Sequence, residues 1–261
     1  MLGPLANAVV RLVLAPSCAA CGRLLDAPLR GAVCHGCWQG VRRLTSPLCD
    51  LCGDALPSSA RYLMCGRCLA DPPPWEAARS AGIYEGSLRA IVHAFKYDGR
   101  RTLAAPLAGL LREAGASLLA DADAVVPVPL HPWRALRRGF NQAEELARHL
   151  GLPVWRPLRR IRHGPPQANL RRSARLSNAR QAYGPARLGI TLERLRADRL
   201  RHRVCVLVDD VLTTGATMAA CTEVLLEAGV SSVRVLTVAR APTPPRPSPQ
   251  PGLPRANARH R

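Results

Sequence analysis

Eight cysteines near the start of the chain constrain its fold more than any other feature. They are spaced Cys18-x2-Cys21, twelve residues, Cys34-x2-Cys37, then Cys49-x2-Cys52, twelve residues, Cys65-x2-Cys68, so the second set repeats the first at an offset of 31 residues. Each pair forms a tight turn that aims two thiolates at one point, and two pairs supply the tetrahedral sulfur cage that Zn2+ accepts. A closed four-thiolate site keeps no coordination position for water, so the expected role is structural: one or two zinc ions holding residues 18–70 as a double zinc ribbon. Disulfides in a secreted protein and iron–sulfur ligation are the competing readings. The pairing is open between halves that each close their own site and knuckles that interleave. His35 beside Cys34 is superfluous once four thiolates are counted. Arg23, Arg42, Arg43, Arg61 and Arg67 leave room for the ribbons to contact nucleic acid or protein. Cys205 and Cys221 lie outside the repeat and read as small core residues, because nothing near them in sequence marks an activating base.

With 261 residues, the chain has length for one ordinary domain behind this module. Apolar residues make up 48% of it, yet no run approaches the roughly 18 uncharged apolar residues that a membrane span requires. Residues 1–17 are apolar but lack the basic start of a signal peptide. Pro16 sits where cleavage needs small residues, and Cys18 belongs to the repeat and not to a lipoprotein box. Leu5, Val9, Leu12 and Val13 fall on one helical face, which predicts a short amphipathic helix lying on the body, with peripheral membrane contact as the alternative. Asp71-Pro72-Pro73-Pro74 marks a short, stiff boundary.

Beyond it, residues 76–240 alternate strand-like and helix-like pieces. Ser80–Tyr84, Ala124–Val128, Val204–Val208 and Val233–Ala239 read as strands, the last three as buried β-branched runs. Ser87–Phe95, Leu103–Leu119, Asn141–Leu150 and Thr217–Ala228 read as helices. Strand, loop, helix, strand implies an α/β fold with a central parallel sheet. From Ala241 to Arg261 the chain is rich in Pro and Arg with almost nothing to bury, which predicts a disordered tail.

The stretch from Val204 to Thr217, VCVLVDDVLTTGAT, carries the chemistry. A buried strand delivers Asp209 and Asp210 at its carboxyl end, and a hydroxyl-rich turn then opens a helix. Thr213, Thr214 and Thr217 can present hydroxyls, together with backbone N–H groups, to a phosphate at the helix N-terminus. Gly215 permits close approach or positive φ. The acids are then placed to accept from ribose hydroxyls, directly or through a metal-bound water. The competing reading is an ordinary threonine-capped helix after an acidic turn.

This segment resembles the phosphoribosyl pyrophosphate (PRPP) binding motif of type I phosphoribosyltransferases. Further matches are Lys96-Tyr97, Val126-Pro127-Val128-Pro129, Arg138-Gly139-Phe140-Asn141-Gln142, and Gln167 with Leu170, Arg175 and Asn178. Together with the cysteine-rich front they resemble the ComF family of competence-associated proteins, over roughly Pro16 to Arg240. The resemblance implies a type I phosphoribosyltransferase fold in which Asp209 and Asp210 bind ribose, and would be the catalytic pair, while Thr213, Thr214, Gly215, Ala216 and Thr217 bind the 5-phosphate. It places Arg138, with Arg137 behind it, where pyrophosphate is held, since guanidiniums match phosphate oxygens with a planar fork. Gln167 to Tyr183 resembles a mobile loop closing over substrate, with Arg175 reaching pyrophosphate on closure; a nucleic-acid-binding loop is the equal alternative. Lys96, the only lysine in the chain, is a phosphate contact or an exposed surface side chain.

The net charge is +19, and residues 134–203 carry 18 arginines against four acids, a field that favours polyanions. Aromatic platforms within reach are few: Trp133, Phe140, Trp155 and Tyr183. Three functions stand side by side. One is displacement of pyrophosphate from C1 of PRPP, with Mg2+ neutralising the leaving group, toward an unidentified acceptor. Purine-salvage relatives carry an aspartate where Thr213 stands, which counts against that acceptor class. The second, implied by the family resemblance, is DNA uptake in natural competence, acting on single-stranded DNA beside a helicase in the cytoplasm, at the inner face of the membrane. The third is a non-catalytic PRPP-sensing regulator.

Overall fold

The computed structural model describes residues 3–130, 132–160, 182–185 and 201–242. The expected lid positions Gln167, Leu170, Arg175 and Asn178, and most of the tail, lie outside the described residues.

Helix α1 is Gly3–Leu14, and the two ribbons follow, each ending in a short helix, α2 (His35–Gln39) and α3 (Gly66–Ala70). The duplication is visible bond by bond. The amide of Cys18 donates to Arg23 O and that of Cys49 to Asp54 O; Gly22 donates to Cys18 O and Gly53 to Cys49 O; Leu25 donates to Pro16 O and Leu56 to Pro47 O. Equal spacing in sequence has produced equal backbone turns.

The body is built on β1 (Ala77–Ile83), β2 (Ala124–Pro127), β5 (Val204–Leu212) and β6 (Ser232–Arg240), in the order β1-β6-β5-β2, with every pairing parallel. Strands β3 (Leu158–Arg160) and β4 (Tyr183–Pro185) form a separate antiparallel pair. Helices α4 (Gly86–Tyr97), α5 (Ala104–Ala114), α6 (Ala116–Leu119), α7 (Pro132–Arg138), α8 (Gln142–Ala147) and α9 (Ala216–Glu227) complete the described elements. One face of the sheet packs on α4 and α5 through Leu88, Ile91, Phe95, Leu107 and Leu111, all fully buried. Burying side chains of this size stabilises the fold by about 1.5–3 kcal/mol each. The opposite face packs on α9 through Met218, Cys221 and Leu225. Cys205 and Cys221 are inaccessible to solvent, and burial pushes the Cys205 thiol up to about 12, as inert core residues should behave.

The structure changes several expectations. The single helix expected over Leu103–Leu119 divides at Gly115, a position where a Cβ would come within 2.6 Å of Leu236 on β6. Strand β5 runs on to Leu212, so the acid pair lies inside the strand and not past its end. A helix, α7, carries Arg137 and Arg138 in its last turn.

Helix α1 exists, but Val9, Leu12 and Val13 are 55%, 87% and 72% exposed, so the expected seating of this apolar face on the body does not occur. It is tethered by polar contacts instead, with Asn7 Oδ1 accepting from Leu29 N at 3.0 Å and Arg11 paired with Asp26 at 3.2 Å. Among the described residues no helix is long and apolar enough to cross a membrane.

Candidate functional site

Strand β5 positions the site through its alternation. Val206 and Val208 belong to the α4/α5 side and Cys205 and Leu207 to the α9 side, because successive side chains point to opposite faces. The next two residues continue that alternation, so Asp209 is directed to the α9 side and Asp210 to the α4 side. Beyond Pro127, where β2 ends its pairing, one edge of β5 is open. This leaves a crevice at the carboxyl ends of parallel strands, the usual place for a ligand in such sheets.

Asp210 is 7% exposed and meets Lys96 from the end of α4, with Nζ 2.7 Å from Oδ1. The reading of Lys96 as an exposed surface side chain is therefore wrong: its side chain is 15% exposed and serves as the resident counter-charge of the acid pair. Burial lowers its pKa, but Asp210 and then Asp209 outweigh burial and raise it, which keeps the amine charged. Asp209 accepts from the amide of Asp210 at 2.8 Å. Burial first, then the neighbouring Asp210, hold its carboxyl well above the ordinary carboxylate range, against the pull of Lys96 and Arg138.

The turn after β5 exposes Thr213 and Thr214, with Gly215, Ala216 and Thr217 partly covered. Gly215 is the N-cap of α9, at φ +80°, and makes no side-chain cap. The amide of Ala216 donates to Thr214 Oγ1 at 3.5 Å, but the N-cap position itself is held by Gly215 and not by a threonine. The first turn of α9 keeps its partial positive charge facing the exposed threonines. A Cβ on Gly215 would also fall 2.9 Å from Cη2 of Trp75. Gly215→Val should therefore lower stability by about 1–3 kcal/mol from backbone strain alone, read as a lower melting temperature.

Arg138 sits over the Tyr97 ring at 4.7 Å and donates to Gln142 Oε1 at 3.1 Å, on the side of the acid pair, whereas Arg137 is exposed. Asn141 fixes this segment by accepting from Ala143 N and donating to Val128 O, each at 3.1 Å. Gln142 is 2% exposed, and its Nε2 meets no partner among the described residues. Two residues near the turn, Arg160 and Trp75, escaped the sequence reading, and a third, Tyr183, entered it only as an aromatic platform and the end of the lid-like stretch. Tyr183, 6% exposed, sets its hydroxyl against Thr217, and Arg160 lies over the Tyr183 ring at 5.5 Å. Trp75 underlies Gly215. No local motif surrounds Arg160 or Trp75, and only their long-range contacts single them out. Arg175 lies outside the described residues.

The cysteines close two separate clusters, Cys18, Cys21, Cys34 and Cys37, and Cys49, Cys52, Cys65 and Cys68, with the ligand atoms of each within 4.8 Å of one another. Each half therefore closes its own site. Sγ of Cys21 and Cys34 are 3.9 Å apart, and those of Cys52 and Cys65 3.6 Å. Tetrahedral sulfurs at the usual zinc–thiolate length of about 2.3 Å would be about 3.8 Å apart, so the cages have the size of zinc. Cys34 N donates to Cys18 Sγ and Cys65 N to Cys49 Sγ, both at 3.3 Å. Burial raises both Cys18 and Cys65, but the Cys34, Ala20 and Cys21 amides outweigh it and lower Cys18 to about 6, and the Cys68 amide with the Cys68 and Cys52 thiols lowers Cys65 to about 7. His35 takes no part in either cluster.

Residues 9–69 match the double zinc ribbon domain family and residues 135–250 the phosphoribosyl transferase domain family. The chain is 36% identical over 192 residues to the DNA utilization protein YhgH of Salmonella typhimurium, covering 68% of this chain and 78% of that protein. It is 32% identical over 187 residues to competence protein F of Haemophilus influenzae, again covering 68% and 78%. It is 28% identical over 168 residues to competence protein ComFC of Streptococcus pneumoniae, covering 62% and 67%. The fold is thus the phosphoribosyltransferase fold with a central parallel sheet, preceded by a zinc-ribbon module that holds structural zinc.

Proposed function

The chain belongs to the family of competence protein F and DNA utilization protein YhgH, and from that membership we propose that it binds PRPP, or a closely related sugar phosphate, and acts in DNA uptake. The observation that carries the ligand is the continuity of β5, turn and α9: an acid pair, exposed threonines and a glycine-capped helix start follow one another in nine residues, Asp209 to Thr217. In this reading Thr213, Thr214, Gly215, Ala216 and Thr217 take the phosphate, Asp209 and Asp210 accept from the ribose hydroxyls, and Arg138 faces the pyrophosphate. Lys96 holds Asp210 in place, and Arg137 and Arg175 are the further guanidiniums within the same basic stretch. The partition into residues 1–17, 18–70, 76–240 and 241–261 is proposed with it.

Mg2+ fits this site as a companion of the ligand. Asp210 is already committed to Lys96, and Asp209 is held toward its neutral form, so the pair is no ready carboxylate cage for a hard cation. The ion would supply neutralisation of pyrophosphate charge, and Asp209 would meet its waters or the ribose. Thr213, an exposed hydroxyl, offers no charge to an acceptor base. Binding is therefore preferred to purine salvage, and transfer to another acceptor, or ligand sensing without chemistry, are activities the same site would support.

Single-stranded DNA and a helicase of the uptake machinery are the proposed partners, at the cytoplasmic face of the membrane, with the exposed apolar side of α1 as the peripheral contact. Exposed Tyr97 and Trp133 beside Arg137 and Arg138 provide the mix of ring and guanidinium that unpaired bases accept. Calorimetric titration of the zinc-replete protein with PRPP and Mg2+ tests the site. Binding is expected for the wild type and none for Asp209→Asn with Asp210→Asn in a protein of unchanged circular dichroism. Equal affinity in that variant would refute the assignment.

A further inference from the structure

We infer that the two zinc sites are not equivalent: the second, formed by Cys49, Cys52, Cys65 and Cys68, is energetically coupled to the phosphate turn through Trp75, and the first is not. The inference rests on the sugar-phosphate reading of that turn.

Three side chains from the body hold backbone carbonyls of the knuckle between Cys49 and Cys52. Trp75 Nε1 donates to Leu51 O at 2.7 Å, Arg79 Nη1 to Cys49 O at 3.3 Å and Asp50 O at 3.1 Å, and Arg240 Nη1 to Cys52 O at 2.7 Å. Arg240 also pairs with Asp54, just past the knuckle. These acceptors keep their positions only while the knuckle is wound around its sulfur cage. Trp75 is 7% exposed and wedged: its indole nitrogen is on the knuckle, and the far edge of its ring is against Gly215, the N-cap of the turn's helix. Cys52, Cys68, Trp75, Thr213, Thr214 and Gly215 line one shared cavity.

The first ribbon meets other elements. Its Cys18, Leu25, Val33 and Val41 join the cluster of α4 and α5, while Trp75 belongs to the cluster on the α9 side. Arg42 pairs with Glu85 and Arg43 with Glu113 at 2.9 Å, and Ile83 N donates to Arg42 O at 2.9 Å. The first site is thus anchored on the α4/α5 side and the end of β1, and the second on Trp75, Arg79 and Arg240.

Coupling between binding sites is reciprocal, and it typically changes affinity by about 5- to 150-fold. Equilibrium zinc competition against a chromogenic chelator, with and without PRPP plus Mg2+ or ribose 5-phosphate, reads it directly in the full chain. The second site is expected to tighten about tenfold with ligand and the first to stay unchanged; Cys21→Ser, which breaks only the first site, assigns the two steps. Trp75→Phe can neither donate to Leu51 nor reach Gly215 with the distal ring edge that the indole supplies. It should bind both zinc ions, lose the ligand's effect on the second, and bind PRPP about tenfold more weakly. Calorimetric binding of ligand with zinc affinity unchanged at both sites overturns the coupling and leaves the sugar-phosphate reading standing. No binding of either ligand to the zinc-replete wild type overturns that reading, and the coupling with it. If Trp75→Phe does not fold, the wild-type competition alone decides.

Discussion

Lys96→Met is expected to destabilise the protein by about 3–5 kcal/mol, the usual cost of removing one partner from a buried ion pair, with a fall in melting temperature on the order of 10 °C. The reason is geometric: Nζ stands 2.7 Å from Asp210 Oδ1, and the two side chains are only 15% and 10% exposed. Without the amine, two adjacent acids share a poorly solvated crevice. The double change Lys96→Met with Asp210→Asn should recover most of the loss, since replacing both partners of a buried pair is often neutral. A thermal-melt double-mutant cycle checks this, and additive losses would refute the pairing. Both proteins should also lose PRPP affinity, because the ribose face of the site has been rebuilt.

The pH profile follows from the same crevice. Asp209 is held above the ordinary carboxylate range by burial and by Asp210. A group raised in the folded state contributes stability fully below its unfolded value, near 4 for a carboxyl, and loses it as pH climbs through the folded value. Asp209's contribution to stability should therefore decline from about pH 4 upward, and Asp209→Asn, which cannot ionise, should remove that part of the pH dependence while removing ligand binding. Lys96 is raised as well, but its contribution is present throughout the range below its unfolded value near 10 and is lost only in alkali.

Removing zinc is the other large effect. Structural zinc is worth about 10–16 kcal/mol of apparent binding free energy in zinc-finger peptides, and the second ribbon has little else. Its own buried cluster is Cys49, Cys52 and Cys68 with a few partly covered neighbours. Chelation should remove two zinc ions per chain and abolish a cooperative unfolding transition in scanning calorimetry. Replacing Cys18 and Cys21 with Ser should destabilise the first ribbon but spare PRPP binding. Replacing Cys49 and Cys52 with Ser should destabilise the second ribbon and weaken PRPP binding about tenfold. Loss of zinc without any thermal shift would contradict the structural role.

Much of this was legible before any coordinates. The sulfur ligands were, because a tetrahedral cage needs paired thiols on tight turns and such turns are local. The strand–turn–helix around Gly215 was, because an apolar run, acids, hydroxyls and a glycine are consecutive. The buried strands were, because parallel strands covered on both faces read as unbroken apolar runs. Misreadings fell where distant residues decide. Val9, Leu12 and Val13 share a face of α1, but periodicity says that a face exists and not what covers it. Position 115, where the expected long helix divides, has no room for a Cβ beside Leu236 on β6.

Sequence by itself determined the ligand set, the parallel sheet and the residues of the turn, since each depends on neighbours within one element. Tertiary structure alone decided that each ribbon half closes its own cage, that Lys96 neutralises Asp210, that β5 continues through the acids and turns them to opposite faces, and that Trp75 joins the second ribbon to Gly215. Those outcomes depend on which surfaces the folded chain brings together, and contacts between residues far apart in sequence leave no periodic or spaced trace in it.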